Sequence, residues 1–266
     1  MASERPTSSD RSTALRRGAL FIVATSPIWL LPKRFPTIHP VAVFGVMIGV
    51  TLLFLWWDNR SPSVLGLDLR PRRPAELLGG MLGGAALIVV TALLLRGVLP
   101  FDWSQNAAFV PKLAMWSFLY FLITGAVEEL VFRGYAFERL ISSLGLWPAQ
   151  LVVAIPFAVY HLLSGWSWQN TLTSTVVGSV LFGLVFARTR SLWASTGFHA
   201  AGNWVRELLM TDPPAKTTWY GPVAGRAWTV HERQTAMIVF DVVALLFCAA
   251  LYWSIRRRDR TLALTQ

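Results

Sequence analysis

The sequence predicts an all-α membrane protein with about eight transmembrane helices in one bundle. Hydrophobic residues make up 54% of the 266 residues and charged residues only 14%, whereas a soluble domain usually carries about 25% charged residues. The apolar residues occur in long runs, and a helix needs roughly 20 of them to cross a bilayer. Tryptophans, which prefer the headgroup region, lie near the ends of these runs, at Trp56, Trp57, Trp147, Trp166, Trp168 and Trp253.

Eight apolar runs account for the predicted helices, at approximately 18–31, 40–57, 76–95, 112–140, 147–164, 171–187, 191–209 and 236–255. The first run is short and contains Pro27, which predicts a kinked or re-entrant helix. The fourth run contains charged residues, and we expect its helix to continue toward Leu140, which would place Glu128 well inside the bilayer. The longest polar loop, about 210–235, is too short to form a soluble core.

The chain divides into four predicted segments. Residues 1–17 are polar and predict a disordered cytoplasmic leader; the apolar run that follows ends without a small-residue cleavage site, so it predicts an uncleaved helix. Residues 18–74 would hold the N-terminal membrane helices and a basic loop. A central core would extend over 75–210. Residues 211–266 would form an outer loop, the last membrane helix and a basic cytoplasmic tail.

The net charge of +10 lies in short clusters between apolar runs, at 16–17, 70–73 and 256–258, and not on a soluble domain. This pattern argues against a nucleic-acid partner and favours an anionic membrane surface. With eight spans and the N-terminus inside, sixteen Lys and Arg residues fall on the inner side and eight on the outer side. The sequence therefore predicts a multi-pass protein of the cell membrane with both termini in the cytoplasm. Cys248 is the only cysteine, which excludes an intrachain disulfide.

The fourth apolar run contains two adjacent glutamates and an arginine close together: Glu128, Glu129 and Arg133. A charge at the centre of a bilayer costs about 2.5–3.5 kcal/mol on insertion scales, so it persists where something offsets it. Glu129 and Arg133 are four residues apart and can pair on one helix face. Glu128 lies about 100° further round the helix. A salt bridge that only holds two helices together would explain Glu129 and Arg133. It would not explain Glu128, which is therefore a candidate general base or acid.

Two of the four histidines lie in apolar surroundings, His161 at the end of the fifth run and His199 in the seventh. A single histidine in an apolar helix is about as often a hydrogen-bonded packing residue as a functional one. Two histidines together with a glutamate pair favour a functional site. His199 and Asn203 share a helix face, and the small residues between them would let a neighbouring helix approach closely. Both side chains could donate hydrogen bonds to a developing oxyanion.

Three motifs on separate predicted helices together resemble a known family. They are Glu-Glu-x-x-x-Arg at 128–133, Phe-x-x-x-His at 157–161 and His-x-x-x-Asn at 199–203. In this order they resemble the type II CAAX prenyl endopeptidase and bacteriocin-processing membrane protein family, also called the Abi family, over about residues 75–210. The resemblance implies an eight-helix intramembrane endopeptidase that acts on a membrane-associated or lipidated peptide or protein.

The resemblance also implies a role for each motif residue. Glu128 would activate water together with His161, and Glu129 and Arg133 would orient the base. His199 and Asn203 would polarise the scissile carbonyl group. A divalent metal such as zinc, held by Glu128, His161 and His199, and a metal-free glutamate mechanism are both compatible with the sequence, which has no His-Glu-x-x-His motif.

Two other classes of function remain alternatives. Intramembrane Glu, His and Arg residues also form proton relays in transporters, but a transporter usually shows inverted repeats, and the sequence shows none. A non-catalytic bacteriocin-immunity protein or membrane scaffold would be favoured by a missing motif residue, and all of them are present. Beyond the lipid bilayer, the predicted partner is a peptide or lipidated protein substrate.

Overall fold

A computed structural model of the chain describes residues 8–35, 37–212, 214–223 and 228–264. This part of the chain is almost entirely helical, which confirms the predicted all-α membrane fold. Its helices are α1 (Ser8–Arg34), α2 (Pro40–Trp57), α3 (Arg73–Val98), α4 (Pro111–Phe132), α5 (Tyr135–Leu144), α6 (Leu146–Leu163), α7 (Trp168–Asn170), α8 (Val176–Thr189), α9 (Leu192–Leu209) and α10 (Val230–Leu264). Two four-residue strands, β1 (Asp102–Gln105) and β2 (Tyr220–Val223), were not predicted.

Six helical segments in the described residues are long and apolar enough to cross a membrane. They are α2, α3, α4 with α5, α6, α7 with α8, and α10. A π-helical turn, Thr171–Thr175, joins α7 to α8. The predicted multi-pass membrane protein is thus confirmed. Of the eight predicted spans, those corresponding to α1 and α9 are not among the six.

The predicted disordered leader is wrong for the residues that the structure describes, because α1 begins at Ser8 and continues through Pro27 as one helix. Packing accounts for this difference. Ala14 is buried, and the Ser143 hydroxyl of α5 donates a 2.8 Å hydrogen bond to the Arg11 carbonyl. These contacts along α5 stabilise a polar helix that its composition alone does not predict. Residues 1–7 of the predicted leader lie outside the described part of the chain.

The fourth helix ends earlier than predicted. It stops at Phe132, and α5 starts at Tyr135 after a short break at Arg133 and Gly134. A Cβ atom on Gly134 would collide with the backbone carbonyl of Leu130, so the break depends on a residue without a side chain. The predicted single helix is thus interrupted at Arg133 and Gly134, but α4 and α5 together form one candidate span, Pro111–Leu144, that continues past Leu140 as predicted. Glu128 lies in the last turn and a half of α4.

The first of two compact units combines residues 1–69 with 126–192. Its core contains an aromatic cluster from three helices: Phe21 of α1, Phe54 of α2 and Tyr135 of α5. The ring centroids are 5.1 to 5.3 Å apart, a separation at which aromatic pairs add about 0.5–1.5 kcal/mol beyond the area they bury. This cluster fixes α5 against the N-terminal helices.

The second unit combines residues 70–125 with 193–266. In it, α10 packs along α3, and β1 pairs antiparallel with β2 so that Asp102 is opposite Val223. Leu95 and Leu99 at the end of α3 pack with Trp228 in a small apolar cluster. Because each unit draws on two stretches of chain, the segment 75–210 contributes elements to both.

Helices α3 and α9 of the second unit cross at backbone contact distance. A Cβ atom on Gly80 would collide with the carbonyl oxygen of Ala194, and one on Gly84 would collide with that of Phe198. Glycines four residues apart form the kind of small-residue surface that lets membrane helices approach closely. This agrees with the predicted close approach of a neighbouring helix near His199, which lies one residue after Phe198.

We expect Gly84→Ala to lower the thermal stability of the purified protein. The new methyl group would collide with the backbone of α9, and overpacking of this kind costs about 1–3 kcal/mol or more. Gly79→Ala on the same helix is the matched control, because a Cβ there meets nothing within 4 Å and alanine improves helix propensity. Equal melting temperatures for the two variants in detergent would contradict the close crossing.

Candidate active site

The last turns of α4 carry the predicted acidic pair, and its arginine follows directly after the helix. Glu129 is fully buried, and its carboxylate lies 3.4 Å from Nη1 of Arg133, one helical turn later. The predicted Glu129–Arg133 pair is therefore present. Glu128 is half-buried and also interacts electrostatically with Arg133. The structure thus differs from the sequence argument in one respect, since one arginine serves both carboxylates.

Arg133 is held by partners from two other helices of the first unit. Its Nη2 donates hydrogen bonds to the carbonyl and hydroxyl oxygens of Ser179 on α8, both at 3.1 Å. Its guanidinium lies 4.3 Å from the ring centroid of Phe157 on α6 and 5.2 Å from that of Phe182 on α8. Carboxylate, carbonyl and aromatic faces together offset the cost of burying this cation.

His161 lies near the end of α6. A backbone carbonyl group one helical turn earlier determines which of its ring nitrogens carries the proton. The Nδ1 atom is 2.9 Å from the carbonyl oxygen of Phe157, so Nδ1 is assigned the proton and Nε2 the lone pair. The rings of Phe157 and Trp166 lie 4.5 and 5.1 Å from the imidazole. Phe157 therefore contacts both Arg133 and His161. An imidazole held in this way presents a basic nitrogen in a defined direction.

His199 and Asn203 lie one turn apart on α9 in the second unit. His199 is 4% exposed, and α4 reaches it at Gly125, where a Cβ atom would be 3.7 Å from the His199 ring. Asn203 is half-buried. The next residue, Trp204, anchors α9 on the first part of α4 by donating a 2.8 Å hydrogen bond from Nε1 to the carbonyl of Ala114. The two predicted oxyanion donors thus lie on a firmly packed helix.

A comparison with protein families covers all of these positions. Residues 110–205 match the family model of the Rce1-like type II CAAX prenyl endopeptidases. The match spans a little over a third of the chain, from the start of α4 into α9, and it contains all three motifs. No curated protein matches the chain. The suspected family resemblance is confirmed, and the Rce1-like match supports a CAAX-protease-like peptidase that resides in the membrane.

The Rce1-like segment contains further residues that the sequence did not single out. Ser179 and Phe182 of α8 contact Arg133, and Trp166 packs on His161. Ser179 lies beside Gly178 in an apolar run. Its position indicates a functional role only weakly, because serines are common in membrane helices. No pattern in the sequence connects it to Arg133, 46 residues earlier.

A metal site was the other predicted feature of this segment. Within the described ranges, no group of three or more His, Cys, Asp or Glu side chains is arranged to hold a metal ion. The predicted ligands Glu128 and His161 belong to the first unit and His199 to the second, and a metal held by these three residues stays a prediction. Arg133 is a cation that interacts with both glutamates.

Proposed function

We propose that this protein is an intramembrane endopeptidase that hydrolyses a peptide bond of a membrane-associated or lipidated peptide. The observation that carries the proposal is the carboxylate pair at the end of α4. The buried member, Glu129, is bound to Arg133, and the adjacent Glu128 is only half-buried. The pair lies within the segment that matches a peptidase family.

In this proposal Glu128 is the general base. Its carboxylate accepts a proton from a water molecule as the water oxygen bonds to the carbonyl carbon of the substrate. The same proton then passes to the amide nitrogen as the C–N bond breaks, so the two products together contain one added water. Nε2 of His161 shares the proton with Glu128. Glu129 and Arg133 hold the end of α4 so that Glu128 keeps its direction.

His199 and Asn203 are proposed to donate hydrogen bonds to the oxygen that becomes negatively charged when water attacks. Donors held in place before the reaction stabilise such an oxyanion without reorganising. The packing of Trp204 on Ala114 supports a fixed position of α9 for this role. That both groups of residues act on one peptide bond rests on the family match, which includes both of them.

The orientation in the membrane is also a proposal. The excess of Lys and Arg on one side of the predicted topology favours cytoplasmic termini. A cytoplasmic N-terminus would be supported by protease digestion of inside-out vesicles that removes an epitope tag placed there. Protection of the tag in such vesicles, with digestion in right-side-out ones, would contradict it.

A membrane-peptide library tests the proposed activity. Purified protein is incubated with the library, and new termini are identified by mass spectrometry, with and without a chelator. We expect cleavage at a restricted set of sites. Loss of cleavage with the chelator, restored by zinc, would replace the metal-free scheme by a metal-dependent one. Absence of cleavage by well-folded protein across lipidated and unlipidated peptides would contradict the proposed function.

A further inference from the structure

The first unit contains a charged cluster that the proposed reaction does not use. Two carboxylates form its centre, Asp58 just after α2 and Glu138 on α5, and their side chains are only 2% and 6% exposed. Four arginines surround them, and we call the set the arginine cluster: Arg17, Arg60, Arg139 and Arg190 with Asp58 and Glu138.

Each carboxylate of the arginine cluster has more than one cationic partner. Asp58 pairs with Arg17 and with Arg139 at 3.2 Å, and it accepts a 2.6 Å hydrogen bond from the hydroxyl of Tyr135. Buried carboxylates need such partners. Each could lose one arginine and still remain paired with another.

Glu138 is paired in the same redundant way. Arg60 contacts both of its carboxylate oxygens, at 2.8 and 3.0 Å, in the fork geometry that makes arginine–carboxylate pairs strong. Arg190 adds a third contact at 3.3 Å. The bidentate pair alone neutralises Glu138, so the charge of Arg190 is surplus.

The arginine cluster therefore carries two positive charges in excess, with four guanidinium groups against two carboxylates. The surplus is accessible. The side chains of Arg17 and Arg60 are each 27% exposed and that of Arg190 is 41% exposed. Two arginines that share one carboxylate repel each other, so a further anion is favourable here. The two carboxylates are too deeply buried to attract a cation from outside.

The position of the arginine cluster matches the surface of a bilayer. Asp58 and Arg60 follow the end of α2, and Arg190 follows the end of α8, and both α2 and the α7–α8 segment are candidate membrane spans. Trp57, at the end of α2, lies under the guanidinium of Arg17 at 4.8 Å from its ring centroid. Indole rings concentrate at the headgroup level of membranes.

A cavity of about 340 Å³ adjoins the arginine cluster between α1 and α5. Arg139 lines it together with Arg11 and the hydroxyl-bearing Thr13 and Ser142, and its remaining lining residues are Asp10 and Ala14. Asp10 and Arg11 contribute opposite charges and leave the excess of two unchanged. The cavity therefore offers space for an anionic group beside Arg139, one of the four arginines of the cluster.

We propose that the arginine cluster and this cavity bind the phosphate of an anionic phospholipid headgroup. Guanidinium groups bind phosphate oxygens through two parallel hydrogen bonds, and a lipid at the end of α2 and α8 brings its phosphate to this depth. The anionic leaflet of a cell membrane is the cytoplasmic one. Lipid binding here would therefore hold these helix ends on the cytoplasmic face.

Thermal unfolding in a neutral detergent tests the proposal with three separate probes: dioctanoyl phosphatidylglycerol, dioctanoyl phosphatidylcholine and inorganic phosphate. A ligand that binds only the folded protein raises its melting temperature as its concentration rises. We expect phosphatidylglycerol to raise the melting temperature well above the effect of the other two. Equal shifts with phosphatidylcholine would overturn the proposal, and an equal shift with inorganic phosphate would show a free-anion site that does not need a lipid.

Arg17→Gln with Arg190→Gln is the informative variant, because it removes the excess charge and leaves Arg139 on Asp58 and Arg60 on Glu138. We expect its apparent affinity for phosphatidylglycerol to fall at least about tenfold, since two charge-assisted contacts are lost. Arg96→Gln with Lys112→Gln makes the same charge change at exposed residues of α3 and α4 and should leave affinity unchanged. Equal affinities of both double variants would overturn the proposal. If the first double variant does not fold, Arg190→Gln alone gives the same test with a smaller expected shift.

Discussion

Glu128→Gln is expected to reduce peptide cleavage by about 10² to 10⁴-fold, the range that a general base contributes. An amide has nearly the same size as a carboxylate, but it cannot take a proton from water. Glu128 is half-buried and lies beside the buried Glu129–Arg133 pair, which the substitution leaves intact. The loss should therefore appear in the rate of cleavage and not in the melting temperature.

Two further variants separate chemistry from folding in this experiment. Asp259→Asn makes the same carboxylate-to-amide change at an exposed residue of α10 and should keep the activity of the unmodified protein. Glu128→Asp keeps a base at a shorter reach and should retain part of the activity. Cleavage by Glu128→Gln within a few-fold of the unmodified protein would remove Glu128 from the mechanism.

Arg133→Gln should have the largest effect on stability. The substitution leaves the fully buried Glu129 without its guanidinium partner, and breaking a buried pair from one side costs about 3–5 kcal/mol. It also removes the hydrogen bonds to Ser179 that join α4 to α8. We expect a clear fall in melting temperature in detergent, whereas Arg256→Gln, at an exposed residue, should have little effect.

A second substitution distinguishes loss of the ion pair from loss of arginine packing. Arg133→Gln combined with Glu129→Gln leaves no buried charge at this pair, so the double variant should regain a measurable part of the lost stability. If the double variant is no more stable than Arg133→Gln alone, packing of Arg133 on Phe157 and Phe182 would account for the loss instead.

Local spacing made part of this site predictable. The i, i+4 rule alone gives the Glu129–Arg133 pair, because both residues lie within one or two helical turns. The small residues after His199 likewise indicated a close helix crossing, and Gly84 of α3 provides the other side of it. The deficit of charge and the length of the apolar runs were sufficient for the all-α membrane fold.

Contacts between distant parts of the chain were not predictable from one sequence. Ser179 contacts Arg133 because α8 packs beside the end of α4. No local sequence pattern indicates that these two helices are neighbours. The end of α4 depends on Gly134, whose missing side chain lets the backbone fold close to Leu130. Arg17 looked like part of a disordered leader, but its partner Asp58 lies 41 residues later. For Ser179 and Arg17 tertiary packing outweighed local composition, whereas the end of α4 is a local backbone effect of Gly134.

The most direct test of the central claim follows one peptide bond. A library peptide that the protein cleaves is incubated with the unmodified protein and, in parallel, with Glu128→Gln of matched thermal stability, and intact masses are recorded over time. We predict two products whose masses sum to that of the substrate plus one water, formed by the unmodified protein and not by the variant. Equal product formation by both proteins would contradict hydrolysis by Glu128.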